Sequence, residues 1–165
     1  MKGYAPPWAM PGDPMARIYL TANAGYWLAR GDDRGEAARR AAMMLEAHAD
    51  STGSLSSFPH AHWMAAGCLY ATNHEVVAEL IMSHIVGTMI ETLPASNLAW
   101  LLVTLLPVGV PRAAPIIASA LEYLREAQQP DGRWISEDGP QRDVHATLEA
   151  LRGLKLAGSS VPAVD

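Results

Sequence analysis

The chain has 165 residues, half of them hydrophobic and 18% charged, with a net charge of -5 at pH 7. This length and composition suit one globular domain that buries a core without disulfides or a structural metal, and they exclude a disordered chain. The mild negative charge gives no basic footprint for nucleic acid or an anionic membrane, and the single cysteine, Cys68, excludes an internal disulfide and suits a reducing cytoplasm.

Prolines interrupt the N-terminus, which lacks the apolar core of a signal peptide. Asp13-Pro14 predicts an N-cap and a first helix running to about Arg30, with Gly31 as a left-handed stop. A second helix is expected from near Gly35, with Ala37, Ala41, Met44, Leu45 and His48 on its apolar face, ending before Asp50. The third covers about Ala61 to Ala71. Thr72 and Glu75 fit a capping box for a fourth, which carries Val76, Val77, Leu80, Ile81, His84, Ile85 and Met89 on one side. Ser96 is placed to cap a fifth helix, apolar on nearly all sides and hence central. Pro107, Gly109 and Pro111 end it. Its apolar run, Leu98 to Val110, is too short for a membrane span, which needs about 18 residues. A sixth helix, about Arg112 to Gln128, turns Ile116, Ile117, Ala120, Leu121 and Leu124 inward. Asp143 caps a seventh, with Val144, Leu148, Leu151 and Leu154 inward and Gly158 as its stop. The tail from Ser159 to Asp165 is expected to be loose. The expectation is an all-α chain of about seven helices in antiparallel hairpins.

These hairpins repeat. A helix ending at Asp50 leads into Ser51-Thr52-Gly53-Ser54-Leu55 and another helix. A helix ending near Gln129 leads into Pro130-Asp131-Gly132-Arg133-Trp134 and another helix. Gly53 and Gly132 hold the same place in units of roughly 40 residues, within the range of helical repeat arrays.

Gln129-Pro130-Asp131-Gly132-Arg133-Trp134 resembles the Gln-Trp motif of squalene–hopene-type terpene cyclases. The stretch from Asp143 to Leu151 resembles the inner-helix start of those repeats and of protein prenyltransferase β subunits. The resemblance is best over Leu121 to Gly158 and fair over Glu36 to Asn73. It implies an α/α toroid, with outer and inner helices alternating around an apolar cavity, and an isoprenoid-like ligand. In those families the Gln-Trp motif staples the fold. Here Gly132 supplies the turn's backbone, Asp131 accepts backbone donors, Gln129 meets helix-end groups, and Trp134 lies across neighbouring helices. The cyclase Asp-x-Asp-Asp acid is absent. Asp32 and Asp33, the adjacent aspartates, suit a helix cap. The zinc histidine of the prenyltransferases aligns with Ala146, one residue after His145, so neither metal nor cofactor is expected. About three hairpins, where a ring takes about six, imply an open arc or two copies closing a toroid.

Candidate chemistry follows from residue types. His62, His145 and Asp143 are candidates for proton handling. His60-Ala61-His62 with His145 and Asp143 has the residue types of a metal site, set against plain loop histidines and a cap. His84 and Cys68 suit a packed interior, as do Met43, Met44, Met64, Met82 and Met89. Tyr26, Trp27, Trp63, Tyr70 and Trp100 fall on the first, third and fifth helices, where aromatic walls could hold a hydrophobic or cationic ligand, or simply pack. The leading expectation is a toroid relative that binds a hydrophobic, isoprenoid-like molecule and self-associates as a homodimer. The alternative is a non-catalytic helical-repeat interaction module.

Overall fold

A computed structural model of the chain describes residues 6, 10, 12–31 and 35–158. Those residues form seven α-helices: α1 (Pro14–Arg30), α2 (Glu36–His48), α3 (Pro59–Ala71), α4 (Glu75–Thr88), α5 (Ala95–Leu105), α6 (Pro115–Glu126) and α7 (Asp143–Leu156). No strand occurs among them, and none of the helices is long and apolar enough to cross a membrane. Asp32, Asp33 and the tail from Ser159 lie outside the described residues.

The chain forms two compact units, Met1–His84 and Ile85–Asp165. In the first, α1 packs on α2 and α3. α3 is buried from Ala61 to Leu69, so this helix is the interior of the unit. The three helices meet at Gly25, where a Cβ would stand 2.8 Å from both Ala41 Cβ and Cys68 Sγ. Only a glycine lets α1 approach so closely. In the second unit, α5 packs against α6 and α7, burying Leu98, Leu101, Leu102 and Leu105. The inward set of α6 is Ile116, Ile117, Ala120, Leu121 and Leu124, as the periodicity predicts.

Each unit contains the same turn. Asp50 N–H donates to Ser54 O (3.0 Å) and Gly53 N–H to Asp50 O (3.0 Å). Gln129 N–H donates to Arg133 O (2.9 Å) and Gly132 N–H to Gln129 O (2.8 Å). Gly53 (φ 83°) and Gly132 (φ 85°) are left-handed at the equivalent position. The residue two positions after that glycine, Leu55 or Trp134, is buried, and its N–H donates to a side chain of the following helix: His62 Nε2 (3.1 Å) or Thr147 Oγ1 (3.0 Å).

Several caps differ from expectation. Asp13 caps α1 through Met15 N–H (2.8 Å), but Gly31 is extended (φ -69°). Thr72 closes α3 by donating to Cys68 O (2.8 Å), leaving α4 to start at Glu75. Left-handed Asn73 (φ 65°) makes that corner. Ser96 lies inside α5 and donates to Glu137, and Asp143 is the first residue of α7, its side chain turned back to the preceding loop. Short polar side chains serve whichever backbone or carboxylate group is nearest, and sequence spacing does not reveal that neighbour.

Some faces shift too. The buried stripe of α2 is Ala38, Ala42 and Leu45, one position round from Ala37 and Ala41. Val76 on α4 and Met43 on α2 are exposed, as are Val144 and Leu148 on α7, where Leu154 faces inward as predicted and is joined by Ala146, Ala150 and Gly153. Small residues decide that face, because Gly153 brings α7 within 3.2 Å of Leu102 as measured from an added Cβ.

Candidate functional site

Two of the three residues expected to handle protons, His62 and Asp143, are held in structural bonds. His62, on the first turn of α3, is 4% exposed. Its Nε2 accepts Leu55 N–H, and Nδ1 sits 3.1 Å from Pro59 O. Since Leu55 N–H can only donate, Nε2 is unprotonated and Nδ1 carries the hydrogen. Burial pushes the His62 pKa below the ordinary histidine value, against upward effects of the Pro59 and Phe58 carbonyls, while the smaller effects of His84 (downward) and Asp50 (upward) follow. Asp143 is also buried. Its Oδ2 accepts from Arg133 Nη1 (2.8 Å) and its Oδ1 from Ser136 N–H (2.9 Å). His145, two residues on, is exposed. Among the described residues no three His, Cys, Asp or Glu side chains gather as a metal-ligand set.

The aromatic set is divided as well. Tyr26 and Trp63 are core residues. Trp27 is 58% exposed, edge-on to Tyr26 at 5.2 Å between centroids. Arg30 lies 5.7 Å from both rings, so the cation that this pair holds is the chain's own. Trp63 belongs to a second cluster, with His60 6.2 Å away and His60 in turn edge-on to Tyr19 at 4.5 Å. Burial lowers the His60 pKa, with a smaller effect of His62. Tyr70 is half-buried at the end of α3, and Trp100 is half-buried on α5.

Each unit also carries a concave surface among the described residues. In the second unit a cavity of about 380 Å³ lies between the first turns of α5 and α7 and the loop joining α6 to α7. Trp100 and His145 line it together, with Glu137, Asp138, Arg142 and Glu149. Ser96 Oγ donates to Glu137, at 2.6 Å from both carboxylate oxygens. A serine whose hydrogen goes to an exposed carboxylate is not prepared as a nucleophile, which needs a positioned base and an orienting third group.

In the first unit a groove of about 680 Å³ runs between α1 and α2. Leu20, Ala24 and Leu28 line it from α1, Ala41 from α2, and Met10 from the preceding segment. Arg17 stands on its α1 side and Arg40 on its α2 side. Arg40 is exposed and reaches Glu36 at 3.4 Å, a contact worth little in water. This groove contains none of the residues proposed from sequence. The signal was there: Leu20, Ala24, Trp27 and Leu28 form a second apolar face on α1, opposite Ala22, Tyr26 and Ala29. A helix apolar on two faces has one more face than its own fold requires.

Comparison with known proteins finds no family model, curated protein or solved structure that matches the chain.

Proposed function

We propose that the chain is a helical-repeat binding module without catalytic chemistry, and that its recognition surface is the α1–α2 groove. One juxtaposition carries this reading: Leu20, Ala24, Leu28 and Ala41 line a groove of about 680 Å³ that has Arg17 and Arg40 on its two sides. The occupant of matching chemistry is an amphipathic helix of a partner protein, with apolar residues in the groove and carboxylates toward the arginines. Asp13 also lines the groove, but its carboxylate is engaged in capping α1. The structural bonds of His62 and Asp143 favour binding over catalysis.

A second reading follows from the resemblance to terpene-cyclase and prenyltransferase repeats, supported by the duplicated glycine turn. There the ligand is an isoprenoid-like small molecule. A single titration series separates the two. Labelled acidic and basic amphipathic peptides with the same apolar face, and farnesol, are added to the full chain. Saturable binding of the acidic peptide, lost in Leu20→Asp/Leu28→Asp and weakened in Arg17→Glu/Arg40→Glu, supports the module. Binding of farnesol alone supports the isoprenoid reading, and no binding by any of the three refutes the groove. The proposed homodimer would appear as a concentration-dependent mass in light scattering.

A further inference from the structure

His62 joins three elements of the first unit. It belongs to α3, it receives Leu55 N–H from the end of the glycine turn, and its ring stacks on His84 of α4 at 5.5 Å between centroids with 13° between planes. That turn also presses on α4 directly. A Cβ on Gly53 would stand 2.3 Å from Leu80 O and 2.8 Å from Ile81 N, so turn and helix are in backbone contact.

The arrangement works for one protonation state. A neutral ring with its hydrogen on Nδ1 donates toward Pro59 O and accepts from Leu55 N–H. A protonated ring is donor only. Its Nε2–H would then point at the Leu55 N–H over a 3.1 Å separation, in a buried position. Leu55 N–H would lose its acceptor and the cation would face the stacked His84, two costs relieved by the same movement.

We propose that His62 is a pH-sensitive latch: neutral, it fastens the Asp50–Leu55 turn and α4 to α3, and protonated, it releases them.

The charged and titratable groups around it give the direction. His84 on α4 and His60 on α3 oppose a second positive charge, and Asp50 in the turn, an exposed carboxylate held by Thr52 and Ser54, partly offsets them. α1 contributes the Tyr19 phenol, against His60. With both His60 and His62 below the ordinary value of 6.5, the unfolded or opened chain binds more protons than the closed one. The closure is therefore complete above about pH 6.5 and is lost as pH falls below it.

The test is amide hydrogen exchange on the full chain, followed by NMR and corrected for intrinsic exchange. At pH 7.5 Leu55 N–H is protected. Below pH 6.5 its opening equilibrium rises by up to about tenfold per pH unit for one proton, together with amides of α4 around Ile81. In His62→Gln, whose amide oxygen can accept from Leu55 without titrating, that rise disappears. Unchanged Leu55 protection across the range, or the same rise in His62→Gln, overturns the latch. If His62→Gln does not fold, imidazole ¹⁵N shifts of the natural chain decide. Hydrogen on Nδ1 at pH 7.5, with a midpoint below 6.5 that coincides with Leu55 release, supports the latch. Hydrogen on Nε2, or titration without release, refutes it.

Discussion

Replacing Gly53 with alanine separates two costs that glycine turns usually combine. Gly53 is left-handed (φ 83°), which costs an L-residue about 1–2 kcal/mol. Its Cβ would also lie 2.3 Å from Leu80 O and 2.5 Å from Leu80 C. Those atoms belong to the backbone of α4 and cannot rotate aside, so the turn or the helix must shift, at roughly 1–3 kcal/mol for overpacking. Together Gly53→Ala should lose roughly 2–5 kcal/mol, or of order 10 °C in Tm for a chain of this size. Gly12→Ala is the internal control, since Gly12 has nearly the same backbone (φ 82°) and, among the described residues, nothing within 4 Å of an added Cβ. It should lose only the conformational part. The assay is thermal and urea unfolding of both variants and the parent, followed by circular dichroism. A Gly53→Ala loss no larger than that of Gly12→Ala would refute the backbone contact between turn and α4.

Trp134 is fully buried, and its Nε1–H donates to Leu124 O at 2.6 Å. Trp134→Phe should therefore cost about 1–3 kcal/mol by leaving that carbonyl unpaired, and Trp134→Ala about 3–5 kcal/mol, both read from urea midpoints. Asp143→Ala removes the acceptor of the Ser136 N–H and one of the two carboxylate partners of Arg133, the other being Asp131. Its effect should be a stability loss of about 1–3 kcal/mol, measured in the same way. Burial pushes the Cys68 thiol up to about 12. A thiol reagent at pH 8 should react with Cys68 only on the unfolding timescale. Because the folded value exceeds the ordinary 9.0, Cys68 stabilises below about pH 9, and that contribution fades as pH rises further, which unfolding midpoints at pH 8 and 10 can check.

The helices were legible because apolar spacing and proline–glycine punctuation act locally. α6 matches its predicted face residue for residue, and Gly53 and Gly132 mark the same turn in the sequence and in the fold. Faces built from small residues were less legible. On α7 the hydrophobic Val144 and Leu148 drew attention, whereas Ala146, Ala150 and Gly153 make the contact because they permit close approach to α5. Hydropathy weighs side chains by size, and packing against a neighbouring helix selects some for being absent. The chemistry-bearing residues were misleading for a related reason. His62 and Asp143 stand out by type, but their polar atoms meet backbone groups several residues away, Leu55 and Ser136. The α1–α2 groove is not legible from sequence because Leu20 and Leu28 resemble core residues unless the opposite face of α1, Ala22, Tyr26 and Ala29, is seen to be the packed one.

The binding account is tested most directly by mapping an acidic amphipathic helical peptide onto the ¹⁵N-labelled chain by NMR titration. The account predicts saturable shifts at Arg17, Leu20, Ala24, Leu28 and Ala41. No response, or shifts centred on Trp100 and His145 instead, would contradict it.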